Sequence, residues 1–170
     1  ILGAHLHTNS TAKEYKGLEI CYALHPDYRK KGVLSNGFAI FAETFAPQLY
    51  NLGDDFFNRV LAPISPVNFP SLAFVFRQGF KIGKDATPDQ PYVSGYFPNI
   101  ISDEETPTFL GYAKSLVEKV KETSEIDKLT RESFDTPLSE QDWEKLKAIR
   151  VVATLPKKDF FKSFLTKSDE

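Results

Sequence analysis

The stretch of this chain best suited to chemistry is Leu18–Gly32, which reads LEICYALHPDYRKKG. An apolar, strand-like run, Leu18–Leu24, is broken by His25-Pro26-Asp27, because proline has no N–H to give a strand ladder. A basic turn, Arg29-Lys30-Lys31, then closes on Gly32, and the apolar period changes. Leu34, Phe38, Phe41 and Phe45 recur every three or four residues, the spacing of one helix face, with the helix expected to end near Pro47. A strand, a short basic turn and a helix start aim several backbone N–H groups and the positive end of a helix dipole at one point. Such a point suits an anion, and a pyrophosphate is a natural occupant. Gly32 lets the backbone approach it with no Cβ in the way. The plainer alternative is a solvated basic turn ahead of a helix.

Other reactive residue types offer less. His5 and His7 fall on one face of a strand-like run, but no third ligand lies at useful spacing, so surface histidines and no metal site are expected. Cys21, on an apolar strand, reads as inert core. As the single Cys of 170 residues, it excludes an intrachain disulfide framework and fits a reducing, cytoplasmic setting. A net charge of −2 gives no global basic field for nucleic acid or an anionic membrane surface. No apolar run has the length of a membrane span. The expectation is therefore a soluble protein with neither nucleic acid nor membrane as partner. The chain holds no Met and opens on the strand-like Ile1-Leu2-Gly3, which suggests an excerpt of a longer protein or a sequence that has lost its Met positions.

The elements around the basic turn follow from periodicity. Ile1–Thr8 and Leu18–Leu24 alternate as two strands of an antiparallel hairpin, and Asn58–Ile64 is a third strand. Asn68 is placed to cap a helix that tolerates Pro70 in its first turn and stops at Gly79. Phe80–Gly83 and Tyr92–Phe97 look like further strands. Beyond residue 103 the chain turns acidic, with fifteen of its twenty-three Asp and Glu, and its pattern becomes helical. Phe109, Tyr112, Ala113, Leu116, Val117 and Val120 line one face; Ser139–Trp143 carries a capping signature; Lys157–Lys167 reads as a last helix. These features define an α/β (α+β) fold: a mixed, mainly antiparallel sheet with packed helices over 1–102, and a helical C-terminal extension over 103–170.

Two motifs carry a family resemblance. Glu19–Gly32 resembles the strand-loop-helix of the GNAT superfamily of acyl-CoA-dependent N-acyltransferases, whose loop reads Q/R-x-x-G-x-G/A. Arg29 and Gly32 match it, whereas Leu34 stands where the family keeps a small residue. The lead-in E-I-x-Y-x-L-x-P, Glu19 to Pro26, is similar to the branch that acetylates protein N-termini, polyamines and antibiotics. That branch carries N-x-x-S, a helix and then G-F, as do Asn68, Ser71, Gly79 and Phe80 here. The resemblance spans about residues 1–97 and implies that the family's first half, part of the acceptor wall, would precede Ile1.

The resemblance implies acetyl-CoA, or another acyl-CoA, as cofactor. Backbone groups of Tyr22, Ala23 and Leu24 would pair with the pantetheine arm, and the amides of Lys30, Lys31, Gly32, Val33, Leu34 and Ser35 would hold the pyrophosphate. The side chains of Arg29, Lys30 and Lys31 would add charge, and Asn68 would bond the cofactor or a water, with a helix cap as its alternative. Glu19 would take the proton of the acceptor amine, directly or through water; the alternative is an exposed strand residue in a cross-strand ion pair. The family's general-acid Tyr, seven residues after the Asn, is replaced by Val75. The implied activity is transfer of an acetyl or other short acyl group to an amine, on a small molecule or a protein, in an enzyme able to form a homodimer. The other reading is a non-catalytic CoA-binding or protein-interaction module.

Overall fold

The computed structural model describes residues 2–7, 17–82, 92–93, 101–102, 104–134 and 137–165. In chain order its elements are β1 (Leu2–His7), β2 (Gly17–Tyr22), α1 (Val33–Asn51), β3 (Arg59–Ile64), α2 (Phe69–Arg77), β4 (Tyr92–Val93), α3 (Thr106–Glu122), α4 (Glu140–Ala148), β5 (Arg150–Pro156) and α5 (Lys157–Leu165). The strand order is β1-β2-β3-β5-β4. β1 runs antiparallel to β2, from Leu2↔Tyr22 to His7↔Gly17, and β4 antiparallel to β5. β2 and β3 are parallel, which makes the sheet mixed. The chain forms two compact units, Ile1–Ala62 with Thr154–Glu170, and Pro63–Ala153.

In the first unit, Leu18, Ile20 and Tyr22 alternate onto one face of β2, as the two-residue strand period requires. Leu18 and Ile20 are buried, and the Tyr22 ring meets the ring of buried Phe38 on α1 edge-on at 5.6 Å. α1 therefore covers that face, and Glu19 and Cys21 belong to the other. At Gly17 the side chain of Leu61 occupies the space a Cβ would need, 2.1 Å from its Cδ1, so the β2–β3 approach depends on this glycine. α1 packs on α5, where Phe160 and Phe161 are fully buried.

In the second unit, Asn68 caps α2, its Oδ1 accepting from the Ser71 N–H at 3.4 Å, and Gly79 ends it at φ 86°. Ser139 caps α4, accepting from the Asp142 N–H at 3.1 Å while its hydroxyl donates to the Asp142 carboxylate at 2.7 Å. The α3 stripe Phe109, Ala113, Leu116, Val117 and Val120 is buried. At the start of α3, Glu105 accepts from Lys145 and, at 3.1 Å, from both the amide and hydroxyl of Ser102. Chiefly the Lys145 bond, then those of Ser102, hold its carboxyl down at about 2. This contact is intact at neutral pH and fades as pH falls from the ordinary 4.5 toward about 2. Buried Phe69 packs on Phe134 and Trp143, at centroid separations of 6.2 and 5.9 Å.

The structure corrects several expectations. α1 does not end near Pro47 but continues to Asn51. Proline removes one i→i−4 bond, and contacts of the last turn, Tyr50 on Phe161 at 6.0 Å among them, keep the helix going. Phe45, expected on the buried face, is exposed. Strand β2 stops at Tyr22, leaving Ala23 and Leu24 outside it. In the expected strand Phe80–Gly83, Lys81 makes an isolated bridge and no strand forms among the described residues; Gly83 lies outside them. Of Tyr92–Phe97, Tyr92 and Val93 are strand, and 94–97 lie outside the described residues, as do the side chains of His5 and His7. The region after 103 contains a strand, β5, besides its helices.

Candidate functional site

β2 leads into a single 3-10 turn, Pro26–Tyr28, and then into the basic turn. The 3-10 turn is stitched by Tyr28 N–H to the His25 carbonyl and Arg29 N–H to the Pro26 carbonyl, both 3.0 Å, with His25 Nδ1 accepting from the Asp27 N–H at 3.4 Å. The next residues alternate handedness: Lys30 has φ 61° and Gly32 φ 71°, both left-handed. For Lys30 this region is uncommon, and for glycine it costs little. Gly32 is the N-cap of α1 and, having no side chain, supplies no side-chain cap hydrogen bond. No acidic residue sits in the first turn, and Glu43 is the one charged side chain in all nineteen residues of α1. Arg29, Lys30 and Lys31 are exposed, with the Lys31 ammonium 6.0 Å from the Tyr28 ring centroid. Three cations, Arg29, Lys30 and Lys31, and one carboxylate, Asp27, thus precede the start of α1.

The flank of β2 matters as much. Its parallel pairing with β3 runs Gly17↔Arg59, Leu18↔Val60 and Glu19↔Leu61, then stops, although β2 continues to Tyr22. The next register pairs would bring Cys21 opposite Pro63, which has no N–H to continue the ladder. Tyr22, Ala23, Leu24, Arg29, Lys30, Lys31, Gly32, Val33, Leu34 and Ser35 all follow in the chain between the end of this pairing and the first turn of α1.

Glu19 is the last residue of β2 paired with β3 and is 6% exposed, buried rather than exposed, with His5 opposite it on β1. The Cys21 thiol, expected in the core, is instead exposed, its Sγ 3.5 Å from Glu19 Oε1. Partial burial first, then the Glu19 charge and the bond to it, push the Cys21 thiol above its ordinary 9.0, so it stays protonated at neutral pH. Alkylation of Cys21 by iodoacetamide at pH 8 is expected to be slow and to quicken several-fold in Glu19→Gln, where the charge is gone. Equal rates in the two proteins would count against this contact.

Asn68 belongs to the other unit, where it caps α2. Val75 is fully buried in α2, so the position that resembles the family's general acid is core. Among the described residues no three His, Cys, Asp or Glu side chains gather as a metal site, and no helix is long and apolar enough to cross a membrane. Sequence reasoning missed Lys157, read merely as a helix start and found 4% exposed. Its partners lie about a hundred residues earlier, and no local pattern announces them. No family model, curated protein or solved structure matches this chain. What the fold establishes is a mixed α/β domain with packed helices.

Proposed function

We propose that this chain is the acyl-CoA-binding core of an N-acyltransferase that moves an acetyl or other short acyl group to an amine. The observation that carries the reading is the left-handed Lys30–Gly32 turn with Gly32 as N-cap of α1, following the end of the β2–β3 pairing at Glu19↔Leu61. An extended thiol-bearing arm ending in a pyrophosphate has the shape and charge for such a path. The amides of Lys30 to Ser35 would take the phosphates, and the backbone from Tyr22 to Leu24 would run beside the arm. Acyl-CoA would supply the thioester, Glu19 would take the proton of the attacking amine directly or through water, and the coenzyme would leave as the free thiol with a proton from solvent.

A second reading, a CoA-binding or protein-interaction module without catalysis, is favoured by buried Val75 at the acid position. Calorimetry with CoA, followed by an assay of acetyl transfer to amines, separates the two. In Gly32→Glu a carboxylate stands where the phosphates would lie, on a left-handed residue. CoA affinity is expected to fall at least about tenfold, the scale of one mismatched charge at a helix start. Equal affinity in mutant and wild type, or no binding to either, overturns the cofactor site. Binding without turnover selects the second reading.

A further inference from the structure

The first unit joins chain segments far apart in sequence, Ile1–Ala62 and Thr154–Glu170, and Lys157 stands where they meet. It is the first residue of α5 and 4% exposed, an unusual place for an ammonium. Its Nζ donates to the carbonyl of Leu52, the residue that closes α1, and lies 3.6 Å from the Asp54 carboxylate. The same Nζ sits 4.7 Å from the Phe57 ring centroid and 5.9 Å from that of Tyr50. Its backbone N–H donates to the Asn58 carbonyl at 2.9 Å.

Each contact suits a cation. The Leu52 carbonyl accepts one of the ammonium's three donors, and the Asp54 carboxylate at 3.6 Å supplies an opposite charge. Aromatic faces attract a cation more strongly when water is excluded. A helix C-terminus, here that of α1, adds its negative end. The segment spanned, Leu52–Asn58, has neither helix nor strand, and Gly53, Asp54, Asp55 and Phe56 within it are exposed. Within the segment the backbone is tied by a local turn bond, Phe56 N–H to Gly53 carbonyl at 2.9 Å.

We propose that Lys157 is the latch of a conformational strap. Its ammonium, seated among the Leu52 carbonyl, the Asp54 carboxylate and the Tyr50 and Phe57 rings, holds Leu52–Asn58 against the start of α5. When it withdraws, the exposed residues Gly53–Phe56 loosen while fully buried Phe57 and the remaining structure stay in place. The latch is at the far end of α1 from Gly32, about 28 Å along a helix of nineteen residues, and does not depend on the ligand proposed for the basic turn.

Hydrogen exchange of the full chain tests this. Lys157→Met keeps most of the stem volume and removes the charge. Exchange at Gly53–Phe56 should quicken at least about tenfold, the scale of a lost charge-assisted bond, while Ala113–Val120 of α3 keeps the wild-type rate. No change at Gly53–Phe56, or a rise shared equally by α3, overturns the latch. Should Lys157→Met fail to fold, Asp54→Asn decides, because Asp54 is mostly exposed and its loss leaves the core intact. A rise of up to about fivefold confined to Gly53–Phe56 is expected there, and a wild-type rate overturns the proposal.

Discussion

Under the proposed function, acyl transfer to an amine should fall by about 10²–10⁴ at neutral pH when Glu19 is replaced by Gln, the range that general-base assistance supplies. Glu19 is the last residue of β2 paired with β3, on the face away from α1, and is 6% exposed. Burial keeps a carboxylate there in a fixed orientation, which an acceptor amine requires, since an ammonium has no lone pair to attack with. Gln has the same shape and hydrogen-bonding reach but no basicity, so the helix, the loop and the affinity for CoA should be unchanged. The phosphates would lie at Lys30–Ser35, well along the chain from Glu19. The deficit should shrink at high pH, where the amine arrives already deprotonated. Rates measured from pH 6.5 to 9.5 with saturating acetyl-CoA check this, alongside a melting curve for each protein. An unaltered rate with CoA binding intact would pass the role of base to another group.

The largest effect on stability is expected from Leu116→Ala in α3. Leu116 is 1% exposed, in a stripe with Ala113, Val117 and Val120 that is buried along its length. Removing its outer carbons loses their transfer free energy and leaves a cavity that neighbouring α2 can only partly fill, a cost of about 2–5 kcal/mol. Lys114, one position from Ala113 but exposed, should tolerate Ala within about 0.5 kcal/mol. Urea unfolding followed by circular dichroism distinguishes them. A loss below 1 kcal/mol at Leu116 would mean that this face does not form the core of its unit.

Features written in neighbouring residues were legible before any coordinates. The caps at Asn68 and Ser139, the stop at Gly79 and the α3 stripe all depend on side chains three or four positions apart, and all stand in the structure. The change of period at Gly32 likewise located the start of α1, and with it the basic turn of the candidate site. What sequence alone could not decide is whatever depends on partners far along the chain. Arg150–Pro156 follows a well-capped helix and was not read as a strand, because β5 is defined by pairing with distant residues such as Tyr92 and Val93. Pro47 argued for a helix end, yet Phe161, more than a hundred residues later, backs the turn that follows it. Glu19 and Cys21 stand two residues apart on one strand face, yet one is buried and one exposed, a difference their spacing does not announce. Lys157 was legible only as the start of a last helix, whereas the fold surrounds its charge with a carbonyl, a carboxylate and two rings from residues 50–57. Local hydrogen bonding and periodicity are encoded in short spacings, whereas the burial of a charge depends on which distant segments the completed sheet brings against it.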